Sequence, residues 1–140
     1  MTVAEIMTTE VRTASMDDTL GGIRQVFERN HFHHIPVVED GRLVGIVSDR
    51  DVLKNLSPRV DSTWANNHDT NTLKKKTHQI MTRKVITINP ENTIEEAAAT
   101  MLERKFNCLP VLEQSGAIAG IVTKTDLLRS LCAKDSTVSC

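Results

Sequence analysis

Apolar and polar positions alternate in short bursts along this chain, and each burst closes on a turn signal. Ile35-Pro36-Val37-Val38 and Leu109-Pro110-Val111-Leu112 read as short buried strands. Glu39-Asp40-Gly41 and Gln114-Ser115-Gly116 follow as hairpin turns, and Leu43–Val47 and Ile118–Val122 as the returning strands. Ile94, Ala97, Ala98, Met101 and Leu102 recur at helical spacing and predict one apolar face. Thr93 and Glu96 supply a capping box at its start. A matching helix after Thr19-Leu20 is weaker, because Gly21-Gly22 costs about 1 kcal/mol per glycine relative to alanine. Short strands are expected at Val11–Ala14 and Val85–Ile88, and further helices begin near Ser48 and Thr123. Residues 57–79 are polar and read as a connector with one helical turn, Trp64 tucked against one half of the molecule, and Lys74 to Lys76 on a solvated face. Residues 135–140 read as a tail.

These elements come twice. Ile6-Met7-Thr8 recurs as Ile80-Met81-Thr82, and Val11-Arg12-Thr13 is answered by Val85-Ile86-Thr87. Phe32 with Ile35-Pro36-Val37 is answered by Phe106 with Leu109-Pro110-Val111. Gly45-Ile46-Val47 and Asp51-Val52-Leu53 are answered by Gly120-Ile121-Val122 and Asp126-Leu127-Leu128. The offset is 74 residues and becomes 75 after one insertion near Ser115. A register kept over that length is the mark of an internal repeat. The expectation is an α+β (α/β) fold of two repeats, each strand-helix-strand-strand-helix, at residues 1–56 and 80–134. Each half is near the size at which a lone core is marginal, so the halves should depend on each other.

Composition removes several alternatives. The chain has 17 basic and 18 acidic residues, so it lacks the basic field of a nucleic-acid binder. With three Phe, one Trp and no Tyr it has no platform for stacking bases. No apolar run reaches the ~20 residues of a membrane span, and the first ten residues carry no secretory pattern. Cys108, Cys132 and Cys140 are odd in number and match no zinc spacing, and are read as reduced thiols in a cytoplasmic protein. His31, His33 and His34 suggest a metal, but His33 and His34 should point to opposite faces of a strand, so no metal site is expected. No nucleophile–base pair is visible, and the chain is not read as an enzyme.

The repeated Gly-φ-φ-Ser/Thr-x-x-Asp element, φ being an apolar residue, carries the chemistry. Ser48 and Thr123 stand where a strand gives way to a helix, with Asp51 and Asp126 three residues on. One reading is a capping box with Asp in place of the usual Glu, which stabilises a helix and implies no ligand. The other is a nucleoside phosphate, its ribose hydroxyls on Asp51 or Asp126, its phosphate toward Ser48 or Thr123, and Arg50 and Lys124 alongside. Gly45 and Gly120 would allow another backbone to approach. The two roles are compatible.

The element order, the doubled x-Pro-Val and the doubled Gly-to-Asp motif resemble the CBS (cystathionine-β-synthase) domain. From Ile6 to about Leu131 the chain resembles a tandem CBS pair, or Bateman module. Gly45–Asp51 and Gly120–Arg129 also resemble the CBS part of bacterial acetoin-utilisation type proteins. The resemblance implies repeats packed about a pseudo-two-fold axis, with clefts for adenosyl compounds such as AMP, ADP, ATP or S-adenosylmethionine as regulatory ligands, with no catalytic cofactor. It implies one cleft using Ile46, Ser48 and Asp51 with Val85 and Thr87, and another using Ile121, Thr123 and Asp126 with Val11 and Thr13. His33, His34, Asn107 and Cys108, just before x-Pro-Val, are then expected near the adenine. The sequence departs from symmetry where Met16 answers Pro90 and Thr125 answers Arg50, which implies sites of unlike charge. A homodimer is also implied, through helices near Leu20–Arg29 and Ile94–Arg104 with Ile23, Phe27, Ala98 and Met101 exposed, as is an unidentified protein partner. The competing expectation is a structural or dimerisation module with no nucleotide ligand.

Overall fold

A computed structural model describes the chain through Lys134, so the tail expected at 135–140 lies outside the described residues. The fold is mixed α/β, and the chain forms two compact units that interleave in sequence. Arg12–Lys84 is one; Met1–Val11 joins the chain from Val85 onward in the other.

In the Arg12–Lys84 unit, strands β1 (His34–Glu39) and β2 (Arg42–Ser48) form an antiparallel hairpin. Its two-residue turn has Asp40 at φ 51° and Gly41 at φ 77°, the left-handed pair that suits the twist of the strands. The expected strand at Val11–Ala14 shrinks to one parallel bridge between Ala14 and Val37. Ala14 N–H donates to the Pro36 carbonyl (2.9 Å), and Val38 N–H donates to the Ala14 carbonyl (2.9 Å). That pattern asks nothing of the missing Pro36 N–H, which is why a proline is tolerated inside this sheet. Thr82 closes the other edge, exchanging backbone hydrogen bonds with Ile46 at 2.9 and 3.0 Å. Helices α2 (Leu20–Arg29) and α3 (Asp49–Asn55) cover one sheet face, where Leu20, Ile23, Ile35, Val37, Val47 and Val52 form the core.

The segment between the repeats is more ordered than one helical turn. It holds α4 (Asn67–Asn71), a 3-10 turn (Thr72–Lys74) and α5 (Thr77–Ile80). Buried Asp69 ties it together, accepting from the Ser57 hydroxyl at 2.5 Å and from Asn66 N–H at 3.0 Å. Trp64 does not tuck in as expected: it is 84% exposed. The bends around it bring no apolar surface against the indole, so hydrophobicity alone misplaced it.

In the other unit, the four-residue helix α1 (Val3–Ile6) packs beside α6 (Ile94–Arg104), β3 (Cys108–Leu112), β4 (Ile118–Thr123) and α7 (Lys124–Lys134). Val3 N–H donates to the Asn92 carbonyl (2.8 Å), and the Val3 side chain is fully buried. Thr8 pairs with Ile121 at one sheet edge, and Ile88 with Val111 at the other. The strand expected at Val85–Ile88 is again only that bridge. Two expectations about helix faces are corrected. Leu102 is 76% exposed, because the core face of α6 runs through Ile94, Ala97 and Met101. Ile23 and Met101, expected on an exposed face, are each 2% exposed and serve the cores. No helix among the described residues is long and apolar enough to cross a membrane.

Candidate functional site

Each motif sits where a hairpin strand runs into a helix. Ser48 is the N-cap of α3: its Oγ accepts from Asp51 N–H (3.1 Å), and its own N–H donates to Asp51 Oδ2 (2.8 Å). Thr123 and Asp126 repeat this at α7, with 3.2 Å and 2.9 Å. The capping box is therefore real in both repeats, and it commits one oxygen of each carboxylate. The cap bonds use Oδ2 and leave the other oxygen, Oδ1, with the lone pairs to accept from a ligand.

Strand register decides which candidates come together. Directly paired residues of antiparallel strands share a face. His34 pairs with Ser48 and Pro36 with Ile46, while Ile35, Val37 and Val47 point into the helix-covered core. His34, Ile46 and Ser48 therefore line the opposite face, with Asp51 at its end. Cys108 pairs with Thr123 and Pro110 with Ile121, giving the corresponding face in the other unit. His33 Nδ1 lies 2.9 Å from Asp49 Oδ2, and Asp49 N–H donates to the His33 carbonyl (3.0 Å). In the other unit Lys124 N–H donates to the Asn107 carbonyl (3.0 Å). Arg50 and Lys124 are exposed beside their caps.

The two faces differ in their titratable groups. Burial holds the His34 imidazole below the ordinary histidine range; Asp49 opposes this, His33 adds to it, Asp51 opposes it and Arg50 adds to it. Burial pushes the Cys108 thiol up to about 12, which keeps it neutral and poorly nucleophilic. Cys108 is free and buried. Cys140 lies outside the described residues.

The remaining candidates are less central. Thr13 is exposed in the Arg12–Lys84 unit and lines a pocket of about 280 Å³ with Arg12, Asp18 and Thr19. Val11, Val85 and Thr87 belong to the other unit, Thr87 exposed and the two valines half-buried. Sequence reasoning missed Thr82 and Thr8, which run beside Ile46 and Ile121, and Asp49, which holds His33. The doubled Ile-Met-Thr and the two glycines opposite it were the available signal. No group of three or more candidate metal ligands gathers among the described residues.

Comparison with known proteins places this geometry. A model of the CBS domain matches residues 3–58 and again 78–133. The protein MJ1225 of Methanocaldococcus jannaschii is 33% identical over 132 residues, covering 91% of this chain; the chain spans 46% of that protein's length. The crystal structure of a protein assigned to acetoin utilization (AcuB) from Vibrio cholerae superposes with a TM-score of 0.79 at 25% identity, covering 96% of this chain and 92% of that one. CBSX2, a CBS-pair protein of Arabidopsis thaliana, was solved in complex with AMP and superposes with a TM-score of 0.78 at 27% identity, covering 96% and 98%. With two matches over most of its length, and the doubled hairpin-to-helix cap in each, the chain belongs to the CBS domain family as a tandem pair.

Proposed function

We propose that this chain is a regulatory module that binds an adenosyl nucleotide and reports its level, and that it is not an enzyme. The observation that carries the reading is the likeness to AMP-bound CBSX2 over 96% of the chain. The site chemistry supports it: Asp51 and Asp126 each keep Oδ1 available for a ribose hydroxyl while Oδ2 holds the helix cap. Ile46 and Ile121 give apolar surface for a base, and Arg50 and Lys124 stand beside the caps for phosphate. The module acts on its target by assembly, as a homodimer or with a protein partner. Exposed Leu102, Leu128 and Leu131 support that part, and they replace Ile23 and Met101 as the candidate contact residues.

The test is a melting screen against AMP, ADP, ATP and S-adenosylmethionine. A ligand that binds only the native state at a hundred times its Kd adds about 2.7 kcal/mol, a rise of several degrees. Unchanged midpoints with every compound at millimolar concentration would favour the second reading, a structural module. That reading rests on the caps, which account for both acids without any ligand.

A further inference from the structure

The two binding faces are built alike but differ at the residue that opens each hairpin. His34 begins β1 and pairs with Ser48; Cys108 begins β3 and pairs with Thr123. The imidazole therefore shares a face with the cap hydroxyl and with Ile46, where the other unit presents a thiol.

The charged and titratable groups around His34 come from two elements. From β1 and the residue before it comes His33, itself 2.9 Å from Asp49 Oδ2. From α3 come Asp49, Arg50 and Asp51. The elements packed on the far side of β2 bring His78 and Arg83. These two line a separate pocket with Asp17, Glu39 and Asp40 at the turn end of the hairpin, and Arg83 Nη2 donates to the His78 carbonyl (3.4 Å). The cluster at the His34 end thus holds two imidazoles, one guanidinium and two carboxylates, with Asp51 Oδ2 already held by Ser48 N–H.

We propose that the His34 face binds a phosphate-bearing nucleotide together with a proton, and that the Cys108 face binds without one. This deepens the proposed function and rests on it. In the free protein His34 is half-buried, and burial disfavours its charged form. His34 pairs with Ser48, the cap toward which the phosphate is expected, so a phosphate brought there adds negative charge on the ring's side of the site and favours the imidazolium. Solvent supplies the proton, and the imidazolium then donates a charge-assisted hydrogen bond to the phosphate. A thiol raised to about 12 cannot take a proton in this way, because its neutral form is already protonated. His34 thereby makes one of two otherwise similar sites respond to pH as well as to nucleotide, and favours phosphorylated ligands over neutral adenosine as pH falls.

The experiment is calorimetric titration of AMP and adenosine into the full chain, in buffers of unlike ionisation enthalpy, between pH 6.5 and 7.5. Asp126→Asn leaves the His34 face as the intact site, and Asp51→Asn leaves the Cys108 face. The heat of AMP binding to Asp126→Asn is expected to depend on the buffer, with uptake approaching one proton and affinity rising up to about tenfold per pH unit lowered. Adenosine should show neither effect. His34→Gln in the Asp126→Asn background should lose the uptake while still binding AMP, whereas His31→Gln, at an exposed position outside the site, should keep it. AMP binding with buffer-independent heat and a flat pH profile at the His34 face would overturn the inference and leave the proposed function standing. Uptake that survives His34→Gln, or that is equal in Asp51→Asn, would also overturn it. No AMP heat from the wild-type chain would overturn both.

Discussion

A methyl group at Gly45 would stand 2.9 Å from the Thr82 carbonyl oxygen and 2.7 Å from Met81 Sδ; at Gly120 it would stand 2.6 Å from the Thr8 carbonyl oxygen. Those oxygens belong to the backbone that closes each sheet edge, so they cannot move aside as a side-chain tip would. Gly45→Ala and Gly120→Ala should each destabilise the fold by about 1–3 kcal/mol, measured by urea unfolding. An unchanged midpoint would mean the edge is looser than its hydrogen bonds imply. Lys105 offers the opposite case. It ends α6 at φ 59° in the left-handed region, which costs a non-glycine residue about 1–2 kcal/mol. Lys105→Gly should raise the melting temperature, with the net gain reduced by the greater freedom of glycine in the unfolded chain. Asp69 links pH to the connector. Its hydrogen bonds from Ser57 and Asn66 hold its carboxyl below the ordinary 3.8. A depressed value means this stability is fully present above about pH 4 and is lost as pH falls through the folded-state value. Hydrogen-exchange protection factors across residues 57–72, corrected for the intrinsic pH dependence of exchange, should therefore fall on acidification, and Asp69→Asn should remove most of that change.

At the scale of elements, the hairpins were the most legible. Asp40-Gly41 and the x-Pro-Val strands carry their own turn and register signals, and both hairpins form where expected. The long helix α6 was legible too, through Thr93 and Glu96 and the spacing of Ile94, Ala97 and Met101. Its width was overread at Leu102, because the apolar stripe includes a residue that tertiary packing leaves in solvent. Helices α1 and α5 were missed, since four residues complete about one turn and show no periodicity. The early strands reduce to single bridges at Ala14 and Ile88, because only one residue of each runs beside a proline-bearing strand. Of the candidate site, the caps and the Asp carboxylates could be read from spacing. That His34 and Ser48 share a face could not, because it depends on strand register, which the sequence constrains only loosely.

For the whole molecule, the repeat boundary and the unit boundary differ. The sequence repeat suggests a cut near Ser57, but the Arg12–Lys84 unit needs Thr77 and Thr82, and the other unit needs Val3 and Thr8. Thr77 is fully buried and its hydroxyl donates to the Asp18 carbonyl at 2.8 Å. A fragment of residues 1–57 lacks that anchor and one sheet edge, and should show no cooperative unfolding. A fragment of residues 12–84 keeps both, and should unfold at higher urea than the first. Equal behaviour of the two would contradict this division of the chain.

The central claim is that Asp51 and Asp126 grip a nucleoside while capping their helices. The direct measurement is calorimetric titration of AMP into the wild type and into Asp51→Asn, Asp126→Asn and the double variant, with melting points recorded alongside. Asn can still accept the cap N–H through Oδ1, so the melting points should stay near that of the wild type. Loss of the charged acceptor for ribose should weaken each site roughly ten- to a hundredfold, in line with about 1.5–3 kcal/mol for a charge-assisted hydrogen bond. The account predicts AMP heat in the wild type, one weakened site in each single variant and little remaining heat in the double variant. AMP affinity unchanged in the folded double variant would contradict it.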